Sequence, residues 1–104
     1  VPLQARLSDL QSTLKAIVSH LRRYEYAGVA ERIANDEARL VAGDLGALES
    51  VISETTGSMG SLRDVYLYPP DDAERVSANE ELDRLVERAD AQARAAMAAA
   101  RLKI

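Results

Sequence analysis

Leu3, Leu7, Leu10, Leu14, Ile17, Leu21 and Tyr24 follow one another at alternating spacings of four and three residues. That repeat puts all of them on one stripe of an α-helix, whereas a strand would scatter them over both faces. The spacing predicts a first helix of about 24 residues, roughly 36 Å long at the standard rise. Pro2 is tolerated in its first turn, where a missing amide has no partner to lose. Val18 widens the stripe, while Gln4, Arg6, Gln11, Lys15, Arg22 and Arg23 stay off it. An apolar stripe this long needs a partner of similar length.

The other end of the chain supplies that partner. From about Ala78 to Leu102 the periodic positions are Leu82, Leu85, Val86, Ala89, Ala93, Ala96, Met97 and Ala100. With no Phe, Trp or Cys in the chain, the core must be aliphatic. Leucines facing alanines allow two helix axes to approach closely. Ser77-x-x-Glu80 has the spacing of a capping box for this helix. Glu80 with Arg84 and Asp90 with Arg94 sit at i, i+4, where ion pairs support an exposed face.

Between these two long helices the signals are shorter. Gly28 is placed to end the first helix, and a second runs from about Val29 to Ala42 with Val29, Ala30, Ile33, Ala34, Glu37, Leu40 and Val41 inward. Gly43 supplies its stop. Asp44 is placed to cap a third helix, from Leu45 to about Glu54, that buries Leu45, Leu48, Val51 and Ile52. Then comes Thr55-Thr56-Gly57-Ser58-Met59-Gly60-Ser61-Leu62-Arg63-Asp64, whose composition helix packing alone does not explain. Ser61-x-x-Asp64 predicts one helical turn opening at Ser61, ended by Pro69-Pro70-Asp71-Asp72, with a polar connector beyond. The expected architecture is all-α: one domain over residues 1–104, a helical bundle with long N- and C-terminal helices and two shorter helices plus a Gly-rich loop between them.

Charge narrows the function classes. The formal net charge is −4, with residues 31–60 summing to −4 and 71–90 to −5. A general phosphate-backbone binder needs clustered Lys and Arg in excess, so nucleic acid is not the expected partner. The longest wholly apolar run, Ala95 to Ala100, is far short of the roughly 20 residues that span a bilayer, so no membrane partner is expected either. The absence of Cys suits a reducing compartment and removes thiolate chemistry. A soluble, cytoplasmic protein is the expectation.

The candidate site residues are few. Backbone amides from Gly57 to Ser61 could cradle an anion, with Ser58, Ser61 and Arg63 adding donors around Gly60. A P-loop would need a Lys-Ser/Thr ending, and a nucleophile elbow one more residue than Gly57-Ser58-Met59-Gly60 provides. The structural alternative is a tight turn whose glycines take positive φ. On the second helix Asp36 and Glu37 are the candidate partner-facing acids. If Glu37 points inward, Arg22, Arg23 or Arg63 could pair with it. His20 is the one histidine and has no companion at metal-ligand spacing, so neither a metal nor a cofactor is expected. Tyr24, Tyr26, Tyr66 and Tyr68 are all the aromatics, and if the two pairs met they would line an amphipathic patch suited to a partner or ligand.

The landmarks Leu21-Arg22-Arg23-Tyr24, Ala30-Glu31, Gly43-Asp44, Gly57-Ser58-Met59-Gly60-Ser61-Leu62-Arg63-Asp64-Val65, and Asn79 with Leu82 span residues 21–85. In this order they resemble a family of small, largely uncharacterised bacterial helical proteins with a Gly-x-Met-Gly-Ser-Leu-x-Asp motif. Ser58 stands where that pattern has a second glycine, Arg63 where Asn is usual, and Val29 near a usual aromatic. The resemblance implies a helical fold and singles out the loop, and it carries no catalytic residue across.

No nucleophile, base and orienting group can be assembled from these residues, so the chain is not expected to be an enzyme. The leading expectation is a protein–protein interaction module, an immunity or antitoxin-like inhibitor presenting its acidic middle to a basic partner. The alternative is a small-ligand or anion-binding module using Gly57 to Arg63. The alanine-rich last helix could pack against a symmetry mate, giving a homodimer.

Overall fold

A computed structural model describes residues 2–57 and 59–102 of the chain. Among the described residues there are four α-helices, α1 (Leu3–Arg23), α2 (Ala27–Val41), α3 (Ala47–Thr56) and α4 (Asp72–Leu102), and one 3-10 turn, Leu62–Asp64. The fold is the expected all-α bundle, with α1 and α4 its long members. No helix among the described residues is long and apolar enough to cross a membrane.

Each helix packs on two neighbours, α1 and α3 both lying against α2 and α4. Cross-helix pairs give the directions. Arg22 meets Glu31 and Lys15 meets Glu37, so α1 and α2 run antiparallel. His20 meets Ala78 and Tyr24 meets Glu74, which makes α1 and α4 antiparallel as well. Asp36 with Ser50 and Arg32 with Glu54 do the same for α2 and α3.

The seam that defines α1 is shut from water. Leu10, Ile17 and Leu21 are fully buried, and Leu7 and Leu14 nearly so. Opposite them on α4, Ala89, Ala93 and Ala96 have no exposed surface. Ala30 and Ile33 from α2, Leu48 and Val51 from α3, and Leu62 and Leu67 from the connector complete the core.

Helix ends depart from the expected positions for identifiable reasons. α1 stops at Arg23, five residues before Gly28, which lies instead in the first turn of α2. The Tyr26 amide bonds the Leu21 carbonyl at 2.9 Å and the Glu25 amide bonds Arg22 at 3.2 Å, the paired bonds of a Schellman closure. Glu25 holds the left-handed position at φ +66°, where glycine is usual. The helix closes early because Tyr26, one residue on, is drawn against the core. Glu25→Gly is expected to stabilise the fold by about 0.5–1 kcal/mol, the left-handed penalty less the greater unfolded entropy of glycine. Urea unfolding checks this, and a loss of stability would show that the Glu25 side chain makes a contact worth more than its strain.

Gly43 does close α2 as expected, at φ +86°, with the Asp44 amide bonding Arg39 O at 2.9 Å and its own amide bonding Leu40 O at 3.0 Å. Asp44 then accepts the Gly46 amide at 3.0 Å and the Arg39 guanidinium at 2.8 Å. These two donors hold its carboxyl below the usual carboxylate range. α3 proper starts at Ala47, which leaves Leu45 exposed rather than inward, and Val41, the last residue of α2, is exposed as well.

α4 starts at Asp72, six residues ahead of the expected Ala78, so Ser77 and Glu80 lie inside the helix and form no cap. Asp71 is the cap: its carboxylate accepts the Glu74 amide at 2.8 Å and its carbonyl accepts the Arg75 amide at 2.9 Å. Arg84 bonds Glu81 rather than Glu80, and Arg94 bonds Asp90 at 3.1 Å as expected.

Candidate functional site

Antiparallel packing brings the α1–α2 turn, the extended stretch from Val65 to Pro70 and the start of α4 together at one end of the bundle. The end of α3 meets α4 farther along, at Asp90 and Arg94.

The glycine loop forms a closed corner. Gly57 ends α3 at φ +107° and Gly60 turns the chain at φ +75°, positions where a side chain would be strained. The Gly60 amide donates to the Asp64 carboxylate at 2.6 Å, and the Gly60 carbonyl accepts from Arg32 of α2 at 2.7 Å. Arg63 directs its Nε–H to the Thr55 carbonyl at the end of α3, 2.7 Å away. The expected capping box is therefore replaced: Asp64 reaches Gly60, and the Ser61 hydroxyl, on a residue only 3% exposed, makes no hydrogen bond among the described residues. Ser58 lies outside the described residues. Met59 stands out at the tip, almost fully exposed.

Thr55 continues the corner into α4. Its hydroxyl donates to Asp90 at 2.8 Å, and Arg94 bonds both Asp90 and the Thr56 hydroxyl. Burial pushes the Asp90 carboxyl up, but Thr55 and Arg94 more than offset it and leave it below the usual range.

The two candidate acids of α2 point different ways. Asp36, not Glu37, is the buried one, 3% exposed, and it accepts a bond from Ser50 at 3.0 Å. Arg39 lies 3.8 Å from it, and Arg32, Asn35, Ser53 and Glu54 complete a polar hollow of about 310 Å³ between α2 and α3. Glu37 is half-buried toward α1 and pairs with Lys15 at 3.8 Å. None of the expected arginines serves it: Arg22 pairs with Glu31, Arg63 with Thr55, and Arg23 lies over Tyr24.

Burial raises the Asp36 carboxyl above its usual 3.8, against the opposing pull of Ser50 and Arg39. A raised folded-state value means its contribution to stability is full below 3.8 and is lost as pH rises through the folded value. At neutral pH the buried charge is a net cost. Asp36→Asn keeps an acceptor for Ser50 and removes that charge, so it is expected to be more stable than wild type at neutral pH, with the gap closing in acid. Urea unfolding at the two pH values checks it. A less stable variant at neutral pH would mean that Arg39 and Arg32 outweigh the burial.

The two tyrosine pairs do meet. Tyr26 donates its hydroxyl to the Tyr66 carbonyl at 2.9 Å, and Tyr24 donates to the Glu74 carboxylate at 3.3 Å. Tyr66 and Tyr68 pack edge to face with centroids 4.8 Å apart. Around them opens a cleft of about 520 Å³ lined by Tyr24, Tyr26 and Tyr68, by Pro69 and Pro70, and by Arg23, Glu25 and Glu74. His20 borders it, edge-on to Tyr24 at 5.2 Å, with its Nε2–H donated to the Ala78 carbonyl at 2.8 Å.

Asn79, inside α4, sets the far wall. Its side-chain amide takes both polar groups of Leu67, accepting the Leu67 N–H at 2.8 Å and donating to the Leu67 carbonyl at 2.9 Å. It thus acts as a one-residue strand partner that pins the extended segment, with Leu67 buried and Tyr66 and Tyr68 outward. The sequence signal for this was an Asn in a helix interior, where its propensity is poor. No family model, curated protein or solved structure matches the chain.

Proposed function

We propose that the protein is a non-enzymatic interaction module that binds a basic protein partner at the tyrosine-rich, acidic end of the bundle, as an immunity protein or antitoxin-like inhibitor would. The observation that carries this reading is the cleft, where three tyrosine rings and two prolines sit beside the carboxylates of Glu25 and Glu74. Tyrosine offers large contact area at little entropic cost and is enriched where interfaces concentrate their energy. Asp71 and Asp72 follow Pro70 directly, Asp71 capping α4 and Asp72 paired with Arg75 at 3.1 Å. A negative field speeds encounter with a basic surface and disfavours acidic ones.

The anion-binding alternative has weaker support at the loop, because the Gly60 amide already faces the Asp64 carboxylate and Arg63 is engaged with Thr55. An anion there would have to displace a carboxylate of the chain itself.

Affinity capture and mass spectrometry would supply the partner, and binding is then measured between the two purified proteins. Affinity is expected to fall about ten-fold or more between about 50 and about 300 mM salt. Glu25→Lys combined with Glu74→Lys should abolish binding with the helical circular dichroism intact. A complex indifferent to both salt and charge reversal would overturn the acidic docking face.

A further inference from the structure

We infer that the cleft recognises an arginine side chain of the partner, and that Arg23 occupies the guanidinium position in the free protein. This rests on the reading of the acidic end as the docking face. Arg23 is exposed, yet its guanidinium carbon lies over the Tyr24 ring, 5.6 Å from the centroid. The molecule therefore already holds one guanidinium on one of the cleft's aromatic faces.

The hydroxyl bonds leave the cleft's surfaces suited to a flat cation. Tyr26 spends its hydroxyl on Tyr66, so it offers the cleft its ring and not a donor. Tyr24 gives its proton to Glu74, which keeps that carboxylate at the cleft while most of its acceptor positions stay free. Tyr68 is 72% exposed and is followed by two prolines with restricted backbones. Glu25 stands at φ +66°, a strained backbone held on the cleft wall by the closure of α1. Carboxylates beside aromatic faces match a guanidinium, which stacks and forks at once, better than an ammonium, which is a compact, strongly hydrated point charge. The lining carries two carboxylates to one guanidinium, so an arriving arginine meets net negative charge.

If Arg23 competes for the site, removing it should improve binding. A capped Gly-Arg-Gly peptide, with lysine and citrulline versions as controls, is titrated into the full chain while the tyrosine ring resonances are followed by NMR. The arginine peptide should shift Tyr24, Tyr26 and Tyr68 saturably, the lysine peptide should bind about three-fold or more weakly, and the citrulline peptide should have no effect. Arg23→Ala should tighten the arginine peptide about two- to five-fold, and Glu74→Gln should weaken it, each with the amide spectrum otherwise unchanged. Equal shifts from the citrulline peptide, or an Arg23→Ala variant that binds no better, would overturn the inference. If the arginine peptide fails while a basic partner still binds in a salt-dependent way, the cleft is refuted and the acidic docking face stands.

Discussion

Asn79→Ala is expected to cost about 2–4 kcal/mol and to undo the cleft without unfolding the helices. Leu67 has no exposed surface, so its amide and carbonyl have no route to water once the Asn79 side chain is gone. Each buried polar group left without a partner costs about 1–3 kcal/mol. A third bond, from Asn79 to the Arg75 carbonyl at 2.8 Å, anchors the side chain to its own helix and is lost as well. The chain can limit the penalty by releasing the segment from Val65 to Pro70, which carries Tyr66 and Tyr68 away from Tyr26. Three readings should move together: a lower urea midpoint, faster exchange of the Leu67 amide, and a weaker near-ultraviolet signal, which tyrosine alone supplies in a chain without Trp. Asn79→Asp should not rescue, because a carboxylate cannot donate to the Leu67 carbonyl. A Leu67 amide that stays as protected as in wild type would show that something other than Asn79 holds the segment.

The second large effect lies at the α1–α4 seam. Leu10→Ala is expected to destabilise by about 2–5 kcal/mol, the transfer term plus the cavity left in a core that cannot fully collapse. Leu10 is fully buried, and the antiparallel register places it near Ala89. Ala93→Leu tests the same seam from the other side. Ala93 has no exposed surface, so added methylenes must push α4 off α1, at about 1–3 kcal/mol. For a domain of this size, with total stability of roughly 5–15 kcal/mol, either change is a large fraction. Chemical denaturation reads both. An Ala93→Leu variant as stable as wild type would mean that the helices are not in close contact there.

Much of this fold was legible from local spacing. The heptad stripe of α1 and the small-residue stripe of α4 are periodic over several turns, and period is a property of one segment read by itself. Gly43 was legible for the same reason, since a left-handed closure by glycine needs nothing beyond its own helix end. Caps were less legible. Gly28, Ser77 and Glu80 all had suitable chemistry, but capping residues are common and only one position closes each helix. Tyr26 docking on the core made Glu25 the terminator of α1, and Asp71 captured the Glu74 amide ahead of the serine box. Of the two readings of the glycine loop, the tight turn has its positive φ at Gly57 and Gly60, but the hydrogen bonds there run to Arg32, Thr55 and Asp64 in a pattern that spacing does not dictate.

The sequence by itself therefore determined that the chain is an all-α bundle, which helices are long, and which of their faces turn inward, because burying an amphipathic stripe depends only on its own periodicity. Tertiary structure decided that Asp36 rather than Glu37 is the buried acid, that Asn79 clamps Leu67, and that the tyrosine pairs close on one cleft. Tyr26 and Tyr66 are 40 residues apart, Tyr24 and Glu74 are 50, and His20 and Ala78 are 58. Contacts at that separation follow from how the helices rotate and slide against one another, a geometry set by the packing of leucines against alanines and not by any one segment.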